Sequence, residues 1–351
     1  MLDFNKRINK KTGLKLFDKN NLVELGFMAD LKKQEFHSDS DPITFVIDIN
    51  VNYTNICSCK CEFCAFHRNN EDKDSYVLDY EIIKGKILKL TAVDGTQLLL
   101  QGGLNPDLSI EYYTKLICNI RKDFPTISIH AFSPPEISFI SKKHNISPKE
   151  LIQEFILNGL SSIPGGGAEI LSDRVRKRIS PNKIPSQEWL NIMETAHELG
   201  LNTTATMVFG IGENTEDIIE HLLKIRQLQD KTGKFTAFIP WTFQLPKKTI
   251  FHAVTQSSAH DYLKILAISR LILDNIRNIQ VSWVTQGLEI AQLGLRFGAN
   301  DFGGIMLEEN VLKSVGVEYK TTIEEVVKRI HKMGFLAAQR DTAYNILKIY
   351  P

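Results

Sequence analysis

Residues Cys57 to Cys64 read CSCKCEFC, which puts four of the chain's five cysteines into eight positions. Thiolates ligate metals and act as nucleophiles, and a cluster this dense in a chain without a secretory leader argues for ligation over a disulfide framework. The opening MLDFNKRINKKTG has lysines but no apolar segment behind them, so it is not read as a leader. Three readings of the run compete. A structural zinc site wants a second cysteine pair after a longer loop, and Cys118 in YYTKLICNIRKDF stands alone, at a spacing that marks a small buried hydrophobe. An electron-carrying iron–sulfur module takes four cysteines and is saturated. The third reading uses Cys57, Cys61 and Cys64, a C-x3-C-x2-C spacing. Three thiolates hold three irons of a [4Fe–4S] cluster and leave the fourth iron open, as a catalytic metal site requires. Cys59 is then a bystander inside the gap.

Such a loop needs a scaffold, and the sequence supplies one by alternation. Strand-like runs occur at ITFVIDINV near Ile43, TQLLLQG near Thr96, SIHAFSP near Ser128, SSIPG near Ser161, TTATMVFG near Thr203, FTAFIPW near Phe235, IQVSWVTQ near Ile279 and ANDFGGIM near Ala299. Amphipathic helical patterns lie between them, with start signals at Ser147, Ser186 and Thr215. Eight such units predict an α/β fold, a (β/α)8 TIM-type barrel over 41–308, with a helical cap at 1–40 and a helical extension at 309–351; a doubly wound open sheet is the competing architecture. Barrel enzymes do chemistry at the carboxyl ends of their strands. CSCKCEFC follows the first strand, and QGG, SPPE, PGGGAE and GIGEN follow the next four.

Bulk properties narrow the partners. The 351 residues carry 42 basic against 41 acidic side chains, with no polybasic block interleaved with aromatics, so neither nucleic acid nor an anionic membrane is the expected partner. The longest apolar runs, such as TQLLL, are too short to span a bilayer, and a cytoplasmic protein is expected.

With Phe63 just ahead of its last cysteine, the C-x3-C-x2-C loop resembles the radical S-adenosylmethionine superfamily. Longer stretches, among them NYTNICSCKCEFCAFHR, LQGGLNPDL, HAFSPPEI, PGGGAEIL, RISPNK, FIPWTFQ, SWVTQG and RFGANDFGG, resemble the menaquinone-pathway branch that acts on futalosine derivatives. Ser180, Trp241 and Thr285-Gln286 look like the ring-closing members of that branch, which take dehypoxanthine futalosine, more than their aminofutalosine-forming siblings. Ile49 departs from the pattern, standing where many relatives carry a basic residue. The resemblance implies a [4Fe–4S] cluster and S-adenosyl-L-methionine as cofactors, a small-molecule substrate, and an electron donor such as flavodoxin or ferredoxin. It implies a 5′-deoxyadenosyl radical that takes hydrogen from the substrate's ribose, followed by radical addition to the aromatic ring. Rival readings are an aminofutalosine synthase, a deazaflavin-cofactor synthase and, outside enzymes, an iron–sulfur electron carrier.

Carried over residue by residue, the resemblance makes Cys57, Cys61 and Cys64 the cluster ligands and puts Phe63 near the adenine. Gly102 and Gly103 stand where the superfamily has Gly-Gly-Glu against the amino end of S-adenosylmethionine; the third position here is Leu104, so only backbone contact carries over. Ser133 and Glu169 are further cofactor candidates, and Arg174 or Arg178 can fork onto a carboxylate. His130 and Glu136, at the third rim, are the candidate bases. Trp241, Trp283, Gln286, Asn300 and Asp301 are expected after strands six to eight, lining the substrate pocket.

Overall fold

The computed structural model describes residues 6–18, 21–245, 256–317 and 320–351. The first strand read in the sequence forms in two pieces, β1 (Ile43–Val46) and β2 (Asp48–Asn52). It is followed by β3 (Gln97–Gln101), β4 (Ser128–Ala131), β5 (Ser162–Ile163), β6 (Asn202–Phe209), β7 (Phe235–Thr242), β8 (Asn278–Ile279) and β9 (Asp301–Gly304). Strands β2 to β8 pair in chain order as a seven-stranded sheet, every neighbour parallel. Strand β9 brings the ends together. Gln280 bridges to Asp301, β9 runs parallel to β1, and the Ile305 and Leu307 N–H groups donate to the Val46 and Asp48 carbonyls at 2.9 and 3.0 Å. The result is a TIM-type barrel.

Crossover helices enforce the parallel order, and capping chemistry starts them. Ser133 with Glu136, Ser147 with Glu150, Asn214 with Asp217 and Ser258 with Asp261 each form a capping box. The start expected at Thr215 thus belongs one residue earlier, to Asn214. Alternation sorts each strand's two faces. Ile49, Val51, Tyr53, Leu98, Leu100, Ile129 and Ala131 join the buried apolar core beneath the helices, which leaves Asp48, Asn50, Asn52, Gln97, Gln101 and His130 on the inner face. Ile49 therefore faces away from the barrel interior.

Helices Lys10–Phe17 and Leu22–Gln34 form the amino-terminal cap. They lie on helices Thr215–Thr232 and Ala259–Ile272 respectively. The tail carries the expected helix, Ile323–Lys332, and adds a strand pair, β10 (Ala337–Arg340) and β11 (Ile346–Tyr350). Strand β10 pairs parallel with β1, β11 antiparallel with β10. Arg340, 2% exposed, forks onto fully buried Asp301, and Gln280 donates to Tyr344 Oη at 2.8 Å. The tail is thereby locked to the amino end of the barrel. Cys118, expected to be buried, is exposed: helix Ile110–Asp123 turns Tyr113, Leu116, Ile117 and Ile120 inward instead. Among the described residues no helix is long and apolar enough to cross a membrane.

Candidate active site

The chain leaving β2 is pinned before it reaches the cysteines. Asn55 donates to the Asp74 carbonyl and accepts from the Tyr76 N–H, both at 2.8 Å. Cys57 N–H donates to the Arg68 carbonyl at 3.0 Å and Ser58 N–H to the Leu104 carbonyl at 2.9 Å. On the far side Glu62 N–H donates to the Ile179 carbonyl at 3.2 Å, and Asn182 Nδ2 donates to the Cys59 carbonyl at 3.2 Å. The loop is thus clamped between Gly102–Leu104 and segment 179–183. Cys57 and Cys64 are half-buried, while Cys59 and Cys61 are buried with their Sγ atoms 3.4 Å apart.

Burial raises the thiol pKa of Cys57 and of Cys64, and the charge of Cys61 adds to both. Cys61 goes the other way, to about 6, because Cys59 hydrogen-bonds its thiolate and Lys183 stabilises it against burial. Cys59 keeps the proton of that pair. Burial opposes the charge of Lys183, yet Glu169 and Cys61 outweigh it and raise its pKa. A half-buried ammonium therefore sits beside the thiols. Among the described residues no three ligands converge on one metal ion. A cluster asks for something else, one thiolate on each of three irons, and Cys57, Cys61 and Cys64 lie on one loop close enough to feel each other's charge. That donor set fits a [4Fe–4S] group.

The glycine pair is built for close approach. A Cβ on Gly103 would lie 2.2 Å from the Ile56 carbonyl oxygen and 2.9 Å from Cys57 Cβ, and one on Gly102 would lie 2.5 Å from Tyr53 Cζ. Glu136 holds this turn. Its Oε1 accepts from Gly102 N–H at 2.9 Å and Tyr53 Oη at 2.8 Å, and its Oε2 accepts from Ser133 N–H and Oγ at 2.8 and 2.6 Å. Burial raises its pKa, and those four bonds offset only part of the rise. Both oxygens are spent on neighbours, so Glu136 positions the turn rather than waiting as an open base. Ser133 is the cap of helix Pro134–His144 and serves the same carboxylate. His130, 5% exposed on β4, shares a hydrogen bond between Nδ1 and Ser162 Oγ. Burial pushes its pKa to about 3, which keeps the imidazole neutral and weakly basic.

Glu169 adopts φ +39° and pairs with Lys183 at 2.8 Å and Arg176 at 3.5 Å. Arg176, 2% exposed, also donates to the carbonyls of Gly167, Ala168 and Ile184, fixing the PGGG turn. Arg174, expected at the cofactor, instead pairs with Asp217 with its side chain 55% exposed, and Arg178 donates to the Ile211 carbonyl at 2.8 Å. The inward arginine of this helix is the one lying between them. Phe63 meets Phe243 edge-on, centroids 6.3 Å apart, with Lys183 Nζ 5.2 Å from its ring. It belongs to the same wall as the thiols.

Strands six to eight divide the remaining expectations. Trp241 is half-buried and shares the inner face of β7 with Ile239. Trp283 is buried, its Nε1 donating to the Gly304 carbonyl at 2.8 Å, so it fills the barrel wall. Gln286 donates to Thr242 Oγ1; both tryptophan and glutamine lie on the helical turn Trp283–Gln286. Asn300 and Asp301 do not follow the eighth strand but begin it, at the end opposite the thiols. Asn300 Oδ1 accepts from Arg270 and from Ile279 N–H, and its Nδ2 donates to Asn278. Asp301 is spent on Arg340, Thr44 and Gly303 N–H. Asp301 has no acceptor capacity left for a substrate, and Asn300 is 3% exposed at that same end. Tyr53, Arg176 and Lys183 were absent from the expected site; Lys183 stood in the quoted RISPNK, but its burial was not readable there.

Residues 51–225 match the sequence profile of the radical SAM superfamily, and residues 232–350 match a profile described as the CofH/MqnC C-terminal region. The chain belongs to the radical S-adenosylmethionine superfamily. It is an enzyme, and its cofactors are a [4Fe–4S] cluster and S-adenosylmethionine. This radical SAM chain is 44% identical to cyclic dehypoxanthine futalosine synthase of Halalkalibacterium halodurans, over 98% of this chain and 92% of that enzyme. It is 40% identical to the enzyme of the same name from Streptomyces coelicolor, over 98% and 86%. A 5-amino-6-(D-ribitylamino)uracil–L-tyrosine 4-hydroxyphenyl transferase of Methanococcus aeolicus is 38% identical over 99% and 98%. Among solved structures, methylornithine synthase superposes with a TM-score of 0.74 at 17% identity, over 94% of both chains, which supports the fold alone.

Proposed function

We propose that this radical SAM enzyme closes dehypoxanthine futalosine to its cyclic product in menaquinone biosynthesis. The observation that carries the reading is the full-length likeness, at 44% and 40% identity, to two enzymes named for that synthesis. When bound, the cluster and S-adenosylmethionine supply one-electron chemistry that takes a hydrogen atom from the substrate's ribose. The protein's task is to hold the ribose and the aromatic ring in one reactive arrangement and to keep water away.

Its residues divide that task. The Gly102–Gly103 backbone, held by Glu136 and Tyr53, lines the cofactor side beside Cys57. Lys183 keeps positive charge at the thiols, held by Glu169, which Arg176 supports from its other oxygen. Trp241 on β7 offers an aromatic face to the substrate's ring. His130 remains neutral and serves as a hydrogen-bonding partner. Ring closure removes one hydrogen atom, one proton and one electron, so the product is two hydrogens lighter and S-adenosylmethionine is the net oxidant. The priming electron comes from a small donor such as flavodoxin or ferredoxin.

A second reading has a specific motive. The archaeal relative named for transfer of a 4-hydroxyphenyl group is nearly as similar, at 38% identity. Offering the anaerobically reconstituted enzyme each substrate set separately, with mass spectrometry of products, decides between them. Loss of two hydrogens from dehypoxanthine futalosine supports the cyclase. A tyrosine-derived aryl group added to the ribitylaminouracil, with dehypoxanthine futalosine untouched, overturns it.

A further inference from the structure

The inner face of β2 carries two amides with unmet needs. Asn50 and Asn52 are 6% and 4% exposed, and among the described residues Asn50 Oδ1 and Asn52 Oδ1 are buried without a hydrogen-bond partner. Native proteins rarely leave buried acceptors bare, so such atoms mark a place that something else completes. Their amide orientations follow from chemistry. Asn52 Nδ2 donates to the Gln101 carbonyl at 3.3 Å, and a carbonyl only accepts. Asn50 Nδ2 donates to Glu309 Oε2, whose other oxygen takes the Val311 and Leu312 N–H groups at 2.7 and 2.9 Å. The open atom on each asparagine is therefore the oxygen, and it wants a donor.

The surroundings narrow the ligand. Asn50 and Asn52 point from alternate positions of one strand, so their backbones are about 7 Å apart. Glu309 and Asp48 lie on the same wall, so the wall is rich in oxygen acceptors. Hydroxyl groups suit it. The strand runs on from Asn52 to Cys57 within five residues, so a ligand held here lies at the foot of the cysteine loop. Beside the asparagines Gln101 on β3, and farther round the barrel Thr206 and Val208 on β6, are only half-buried, so the interior is open on this side.

We propose that Asn50 and Asn52 form a polyol subsite, their amide oxygens accepting hydroxyl hydrogens from the five-carbon sugar portion of the substrate. The inference deepens the proposed function and rests on it only to the extent that the substrate carries such a sugar. The ribose of dehypoxanthine futalosine has one, and so does the ribityl chain of the uracil in the second reading. The subsite fixes the sugar's carbon–hydrogen bonds relative to the cysteine loop.

The test is a cycle of protein and ligand changes on the reconstituted holoenzyme loaded with S-adenosylmethionine. Equilibrium binding is measured for dehypoxanthine futalosine and for analogues in which each ribose hydroxyl in turn is replaced by hydrogen. The wild-type protein is expected to lose about 10- to 100-fold in affinity for at least one analogue, the range for a buried acceptor left bare. In Asn50→Leu or Asn52→Leu the intact ligand binds more weakly by the same factor, and that analogue is no longer disfavoured. S-adenosylmethionine binding stays unchanged. If the wild-type protein binds every deoxy analogue as tightly as the parent, the two oxygens hold water and the proposal is overturned, whether or not the variants fold. If dehypoxanthine futalosine does not bind but the ribitylaminouracil does, the cyclase reading fails. The subsite is then judged on ribityl-shortened analogues: the same loss, abolished by the leucine variants, upholds it, and indifference overturns it.

Discussion

Gly103→Ala is the substitution whose cost the structure fixes most tightly. The new Cβ would stand 2.2 Å from the Ile56 carbonyl oxygen and 2.9 Å from Cys57 Cβ. Ordinary contact needs more than 3 Å, so the two segments must part by about 1 Å. They are joined by Gly103 N–H to the Thr54 carbonyl and Ser58 N–H to the Leu104 carbonyl, both at 2.9 Å. Stretching the two by that much forfeits about 1–3 kcal/mol at the usual net worth of a hydrogen bond, which matches the cost of overpacking a tight interior. At the low end of the shift per kcal/mol for large domains, the melting temperature of the cofactor-free protein falls by about 2–6 °C. Moving Cys57 also spoils one of the three thiolate positions, so iron bound per chain after reconstitution falls too. Gly85→Ala is the control: a Cβ there meets nothing within 4 Å, and the residue lies mid-helix, where alanine is favoured. Thermal unfolding by circular dichroism and an iron assay read both variants. Gly103→Ala melting with the wild type and binding as much iron would refute the close-approach argument.

Other consequences are equally concrete. Cys57→Ala, Cys61→Ala and Cys64→Ala should each lose most reconstituted iron and the cluster's visible absorption, whereas Cys59→Ala keeps both; iron retained by Cys61→Ala but lost by Cys59→Ala would reassign the ligands. Arg340→Leu strands the fully buried Asp301 carboxylate, and denaturant unfolding should show a loss of about 3–5 kcal/mol. Asp48 is fully enclosed, and burial raises its pKa from 3.8 to about 7. Its folded form thus keeps a proton that the unfolded chain has already released, so this contribution is intact below about pH 4 and is lost as pH rises towards 7. Between pH 5.5 and 8 the group alone should cost about 2 kcal/mol of stability, and Asp48→Asn should flatten that slope in urea titrations at the two pH values.

What the sequence reveals and what it hides follow from how local each signal is. The cysteine loop and the strand ahead of it are contiguous, so spacing and β-branched residues were enough to read them. The eighth strand was visible only as the glycine-rich ANDFGG. Its start at Asp301 could not be read from so short a run, which is why Asn300 and Asp301 were expected at the wrong end of the barrel. WVTQ looks like the end of a strand but is a helical turn, because β8 stops at Ile279. In DRVRKRI the outer arginines looked the more available, yet only the middle one, Arg176, is turned inward to the PGGG carbonyls, a tertiary fact with no local mark. The strand pair of the tail depends on β1 as its partner, nearly 300 residues earlier in the chain. Asp48, Asn50 and Asn52 did carry a signal, polar residues alternating with Ile49 and Val51, and it marks a polar barrel interior.

In the proposed reaction hydrogen is taken from the sugar of dehypoxanthine futalosine. The most direct measurement supplies that substrate with deuterium on the ribose carbons to the reconstituted, reduced enzyme and weighs the 5′-deoxyadenosine formed. One deuterium per 5′-deoxyadenosine, alongside a cyclic product lighter than its substrate by one deuterium and one hydrogen, is the predicted result. Unlabelled 5′-deoxyadenosine, or none above the rate without substrate, would contradict the account.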